Sequence, residues 1–227
     1  MDGIAKVTGA DEQPLFVFLT TDRPIGLTTK RAADVVLALW GIILLSPLLV
    51  LCCLATACFA PGPIMFRHQR IGFNGKPFGC LKFRTMAIDA SERLRRHLES
   101  DPVAAAEWHA TRKLRRDPRV TAVGALLRKS SLDELPQLFN VLKGDMSIVG
   151  PRPVTEEELD RYSDAVRAYF SCRPGITGLW QVSGRSTTTF QRRVVLDSYY
   201  AHNWSMILDA KIIMATLPAV CFSNTAY

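Results

Sequence analysis

No Asp, Glu, Lys or Arg occurs between Val35 and Phe66, a run of 32 residues in a chain of 227. A helix over 35–60 would reach about 39 Å, enough to cross a bilayer. Ser46-Pro47 falls near its middle, where proline removes a backbone donor and clashes with the preceding turn. The legs on either side are too short to span alone. Lys30 and Arg31 precede the window, and Arg67, Arg70 and Lys76 follow it. Cations on both flanks favour the cytoplasm for both ends. Two arrangements remain, and the residues alone weigh them equally. One is a spanning helix with a proline kink. The other is a re-entrant helix that bends at Ser46-Pro47 and leaves by the face it entered. In either, the freed carbonyls need a partner, and the Ser46 hydroxyl is a candidate. A buried core helix fits less well, because the uncharged run exceeds normal globular lengths.

The rest of the composition is that of a folded protein, with 48% hydrophobic and 22% charged residues. That excludes disorder throughout, collagen and coiled coil. The length suits one domain with an appendage. A net charge of +7 suggests an anionic partner. Six cysteines form no CxxC pair and have no ligand spacing to the four histidines, so structural zinc is not expected and reduced thiols are. Residues 1–29 read as a loose leader, not a secretory signal, because the apolar core comes too late.

Beyond Ala60, Pro61-Gly62-Pro63 ends the helix. Asn74-Gly75 signals a hairpin turn, with a second strand over 77–85 that delivers Lys82 and Arg84 on one side. That pair suits phosphate, or a solvated edge strand. Residues 87–116 read as helical. Arg112, Lys113, Arg115, Arg116, Arg119, Arg128 and Lys129 then form a basic patch suited to lipid headgroups or a phosphorylated substrate. Nucleic acid ranks low, since no interleaved aromatics or known motif appear.

Leu132, Leu135, Leu138, Phe139 and Leu142 have helical spacing. Ser131-x-x-Glu134 fits a capping box, whereas Pro136 argues for Asp133 as the cap. Either register puts Asp133 and Glu134 at the positive end of a helix dipole, favouring their ionised forms. A structural cap explains both residues well. The functional alternative is a metal and phosphate site made with Arg128. Gly150-Pro151-Arg152-Pro153 is a stiff turn holding one guanidinium, which suits a phosphate or nucleobase edge, or a pair with Glu156-Glu157-Glu158. A second turn, Arg173-Pro174-Gly175-Ile176-Thr177-Gly178, follows. No GxGxxG or Walker loop is present. The segment 197–220 reads as a helix against the headgroup region or in the core.

In order, the motifs are Lys30-Arg31, Ser46-Pro47, Lys82-Phe83-Arg84-Thr85-Met86, Leu127 to Gln137, Gly144 to Pro153, Arg173 to Gly178, and Val182-Ser183-Gly184-Arg185. This ordered set resembles the bacterial sugar transferases, the small monotopic polyprenyl-phosphate phosphoglycosyl transferases, over about residues 30–227. The resemblance implies an α+β, mostly helical fold. It implies a re-entrant helix-break-helix, a small β-hairpin and amphipathic interfacial helices. The expected organisation is a leader at 1–29, a membrane hairpin at 30–66 and a cytosolic transferase domain at 67–227. The location implied is the cytoplasmic face of the bacterial inner membrane.

The implied reaction moves a hexose 1-phosphate from a UDP-sugar to undecaprenyl phosphate with release of UMP, as the first membrane step of exopolysaccharide synthesis. Galactose is favoured over glucose. Mg²⁺ at Asp133 and Glu134 is implied, with Asp133 as nucleophile. Lys82, Arg84, Arg128 and the Pro151-Arg152-Pro153 turn would hold phosphate and nucleotide. The implied partners are UDP-sugar, undecaprenyl phosphate and inner-membrane lipid, without nucleic acid; a homodimer stays open. A membrane-anchored metal-dependent phosphohydrolase is the alternative.

Overall fold

In the computed structural model, residues 23–184 and 188–221 are described; the leader expected at 1–29 lies outside them as far as residue 22. Helix α1, Leu27–Phe59, runs through Pro47 without interruption. Pro47 cannot donate to the carbonyl four residues back, which is Ile43. The Ser46 hydroxyl donates to Ile43 O at 2.8 Å, filling that place.

Both ends of α1 pack on the rest of the chain. Near the start, Arg31 donates to Val141 O and Leu142 O, at the carbonyl end of a later helix. Asp34 accepts from the Ser147 hydroxyl at 2.8 Å and from Ile148 N at 2.9 Å. Ala38 and Ile42 continue that contact against Leu138 and Val141. Past Pro47, Leu49 and Cys52 pack with Phe83 and Leu127. Between these contacts Trp40, Ile43, Leu44, Val50, Leu51 and Leu54 are exposed. One helix therefore carries an apolar outer face and a face fixed to the domain.

The expected hairpin is β1, Met65–Ile71, and β2, Pro77–Phe83, antiparallel with Arg70 opposite Phe78 and Phe66 opposite Lys82. The connection is longer than the two-residue turn: Phe73–Gly75 form a 3₁₀ turn, with Asn74 and Gly75 both left-handed. The free edge of β2 is closed by a side chain. The Asn140 amide donates to Gly79 O and accepts from Leu81 N, both at 2.9 Å, as a neighbouring strand would.

The helical stretch expected over 87–116 is two helices, α2, Ala90–Ser100, and α3, Pro102–Thr111. Asp101 caps α3 through Val103 N and Ala104 N, and Pro102 fits the first helical position. Helix α4, Ala122–Lys129, follows, capped by Thr121. At Gly124 it lies against the backbone of Thr85 so closely that a Cβ would overlap the Thr85 carbonyl. Neither expected cap forms at the next segment. Ser131 is left-handed with no side-chain cap, Leu132–Glu134 is a 3₁₀ turn, and α5, Gln137–Lys143, begins only after Pro136.

Strand β3, Ser147–Val149, pairs in parallel with β4, Gly175–Thr177. Between them lie α6, Glu156–Leu159, and α7, Val166–Phe170. The two glycine-rich turns meet backbone to backbone. A Cβ on Gly175 would overlap Gly150 N, and one on Gly178 would overlap Gly150 O. Tyr169, buried, donates its hydroxyl to Ile71 O and accepts from Val154 N, tying this layer to the hairpin. The C-terminal stretch is α8, Leu179–Val182, α9, Phe190–His202, and α10, Met206–Cys221, so the helix expected over 197–220 is broken around Asn203 to Ser205. In α10, Ile212 is buried while Met206, Ile207 and Met214 are exposed.

The fold is thus mostly helical α+β with a small hairpin, and α1 is compatible with membrane association by length and composition.

Candidate active site

Three segments converge around two carboxylates. Strand β2 supplies Lys82, the 3₁₀ turn supplies Asp133 and Glu134, and the end of α4 supplies Arg128. Lys82 Nζ donates to Glu134 Oε1 at 2.6 Å and stands 4.0 Å from Asp133 Oδ2. Arg128 Nε donates to Thr85 Oγ1 at 2.9 Å, and its charge reaches Asp133. The close approach at Gly124 is what allows this, because Gly124 and Arg128 lie one turn apart on the face of α4 that meets Thr85.

The carboxylates titrate apart. Burial pushes Asp133 up to about 6, despite Lys82 and Arg128. This corrects the dipole expectation: α5 begins too far along to offset the loss of water. For Glu134 burial acts in the same sense, but Lys82 and Arg152 outweigh it and its pKa falls below the ordinary value. Lys82 thus stands closer to Glu134, at 2.6 Å, than to Asp133, at 4.0 Å.

A cavity opens beside the pair, lined among others by Arg70, Lys82, Glu134, Gln137, Arg152 and Gln181. Arg152 enters from the turn after β3, and Pro153 also lines the cavity. Pro151 is buried and its carbonyl accepts from Gly175 N at 2.8 Å, which fixes the turn. The Arg152 guanidinium lies 5.6 Å from the centre of the Trp180 ring. Glu158 is taken by Arg70 at 3.5 Å and by Arg193 at 3.6 Å.

The structure thus groups Lys82, Asp133, Glu134, Arg128 and Arg152, but leads Arg84 elsewhere. Arg84 lies just past the end of β2, and its guanidinium donates to Pro61 O at 2.9 Å. Ser46 and Pro47 belong to the apolar stretch of α1. Arg70, Gln137 and Gln181 were not singled out from the sequence. For Arg70 a signal existed: in this register Arg70, Cys80 and Lys82 share a face of the hairpin. Gln137 and Gln181 carried none, since each reaches the cavity through tertiary packing.

Among the described residues no three His, Cys, Asp or Glu side chains form a metal cage. Two adjacent carboxylates, with Asp133 more loosely paired to Lys82 than Glu134 is, suit a hard cation that takes its remaining ligands from water and phosphate. The donor set therefore fits Mg²⁺.

The fold joins a helix compatible with membrane association to a cavity in which Arg70, Lys82 and Arg152 stand beside two carboxylates. The sequence profile of the bacterial sugar transferases matches residues 25–223, and the chain belongs to that family. It is 50% identical over 205 residues to the exopolysaccharide production protein ExoY of Sinorhizobium fredii, covering 90% of this chain and 91% of that one. The ExoY of Rhizobium meliloti is 48% identical, covering 98% of this chain and 99% of that one. The undecaprenyl-phosphate galactose phosphotransferase of Salmonella typhimurium is 48% identical over 87% of this chain, which spans 41% of that longer protein.

Proposed function

We propose that this enzyme transfers galactose 1-phosphate from UDP-galactose to undecaprenyl phosphate at the cytoplasmic face of the inner membrane, and so begins an exopolysaccharide. The observation that carries the reading is the buried Asp133 with Lys82 between it and Glu134, beside a cavity that also holds Arg70 and Arg152. The choice of galactose follows the Salmonella relative, a galactose phosphotransferase.

Asp133 Oδ attacks the sugar-bearing phosphorus of the diphosphate. The new bond is aspartyl oxygen to phosphorus; the bond that breaks joins that phosphorus to the bridging oxygen, which leaves on UMP. A phosphate oxygen of the lipid then attacks the same phosphorus and Asp133 departs as carboxylate. Lys82, Arg128 and Arg152 hold phosphate oxygens through charge-assisted bonds. Asp133 and Glu134 would hold Mg²⁺, which when bound neutralises diphosphate charge.

The re-entrant path of α1 is part of this reading. Lys30, Arg31 and Asp34 before Pro47 bond to the same domain that Leu49 and Cys52 pack on after it. A helix held by one domain at both ends, with an apolar face between, suits entry and exit through one leaflet.

One enzyme equivalent of UMP should appear from UDP-galactose without lipid acceptor, and Asp133→Asn should abolish it. A requirement for both substrates before any UMP appears would reject the aspartyl intermediate. A panel of UDP-sugars in the same assay identifies the hexose. Periplasmic labelling of cysteines placed at 2 to 29 would reject the re-entrant path.

A further inference from the structure

We infer that Arg193 is a positioning residue: by sharing Glu158 with Arg70, it leaves the Arg70 charge available to an anion in the cavity. Only the identity of that anion rests on the reading above. Arg70 lines the cavity and Arg193 does not. Glu158 stands between them. Its Oε2 lies 3.5 Å from Arg70 Nη1, and its Oε1 lies 3.6 Å from Arg193 Nη1. Oε2 also accepts from Thr155 N at 3.0 Å, which closes the cap of α6 and holds the carboxylate in place. Burial opposes ionisation of Glu158, but the Thr155 N–H, Arg193 and Arg70 outweigh it and bring its pKa below the ordinary value.

Arg193 is 7% exposed and enclosed by acids and rings. Its Nε lies 3.8 Å from Asp197 Oδ2, one turn along α9. Its guanidinium lies 5.2 Å from the centre of the Trp180 ring and 5.3 Å from that of Phe190. Among the described residues its Nε and Nη2 have no hydrogen-bond partner. Ring faces and two carboxylates therefore hold this buried charge, in place of a hydrogen-bond network. Of the two acids, Asp197 also accepts from the Tyr162 hydroxyl at 2.7 Å. Glu158 is the one that links Arg193 to a cavity residue.

One carboxylate is thus divided between two guanidiniums, and Arg70 is only partly neutralised. The other neighbour of Arg70 takes little of its charge: Arg70 Nη2 donates to His68 Nδ1 at 3.2 Å, and burial followed by Arg70 itself holds the His68 pKa below the ordinary value. Without Arg193 the whole Glu158 charge would fall on Arg70. The cavity would lose a cation although no residue lining it had changed, and a phosphate there would lose a charge-assisted bond.

The test measures dissociation constants of UDP-galactose and of inorganic pyrophosphate for the full-length enzyme in nanodiscs. The variants are Arg193→Gln, Arg193→Lys, Glu158→Gln and the Arg193→Gln/Glu158→Gln pair. Arg193→Gln should weaken both ligands by about tenfold or more, and adding Glu158→Gln should return most of that loss. Glutamine at 158 keeps an acceptor for Thr155 N, so the cap of α6 survives. Arg193→Lys keeps the charge and should lose less than Arg193→Gln. In turnover, the donor KM should rise by a larger factor than kcat falls. A merely structural Arg193 would behave otherwise: adding Glu158→Gln would leave the loss in place or deepen it. That result overturns the inference, as does an unmoved affinity in Arg193→Gln. If Arg193→Gln misfolds, Arg193→Lys with and without Glu158→Gln gives the same comparison. If the unmodified enzyme binds pyrophosphate but not UDP-galactose, the donor assignment fails, while the pyrophosphate series still reads Arg193. Binding of neither overturns both.

Discussion

Lys30 and Asp209 stand 179 residues apart in sequence and 2.6 Å apart in space, both buried. Asp209 also accepts from Trp204 Nε1 at 3.1 Å and lies 2.7 Å from the Tyr200 hydroxyl. The two partners are therefore unequal. Lys30→Met leaves Asp209 with two donors, whereas Asp209→Leu strands an ammonium and an indole N–H and leaves the Tyr200 hydroxyl only Val149 O. Asp209→Leu should destabilise by about 3–5 kcal/mol and Lys30→Met by less. Thermal unfolding in detergent, compared at one lipid-to-protein ratio, checks the order; equal losses would contradict it.

Asp133 gives a pH-dependent prediction. Its pKa is 3.8 in the unfolded chain and about 6 when folded. A carboxyl raised by folding costs stability once pH exceeds the unfolded value, and the full cost is reached above the folded one. Asp133→Asn removes that cost. In metal-free buffer at pH 8 the variant should be more stable by up to about 3 kcal/mol. The advantage should shrink between pH 6 and 4 and vanish below about 4. Denaturant melts across that range measure it. A variant less stable at pH 8 would show that burial does not dominate at Asp133.

Gly124→Ala should separate α4 from Thr85. Overpacking of this kind costs about 1–3 kcal/mol, and it displaces Arg128 one turn along. Turnover should fall more than the KM for UDP-sugar rises, because Arg128 lies at Asp133. Steady-state kinetics separate the two.

Asn140→Leu should leave Gly79 O and Leu81 N without partners at the edge of β2. Each buried orphan costs about 1–3 kcal/mol. Asn140→Asp keeps the acceptor for Leu81 N and offers Gly79 O a donor only when protonated, so it should be the milder change below the carboxyl's pKa. Hydrogen exchange at Leu81 reports the difference directly.

Much of this was readable beforehand. The charge gap located α1, its serine was matched to the proline it serves, and Asn74-Gly75 placed the hairpin. Those features rest on local rules that act within a few residues. Lys82, Asp133, Glu134, Arg128 and Arg152 were named and meet, but the meeting depends on Gly124 and on the turn contact at Gly150, which no local pattern encodes. Arg84 shows the limit. Alternation puts it on the side of Lys82, but the strand ends at Phe83, and Arg84 turns toward Pro61. The ionisation of Asp133 departs from the cap expectation for a related reason: cap preference is local, whereas burial is a property of the assembled site.

The contact between the Gly150 and Gly175 backbones has a bearing on engineering. Arg152 cannot be re-aimed by altering its own turn, since that turn rests on the one that follows Arg173. A chimera that imports residues 150–153 from a relative with a different sugar should inherit a working arginine only when residues 173–178 travel with them. For exchange between relatives, the two turns are one heritable part encoded in two places.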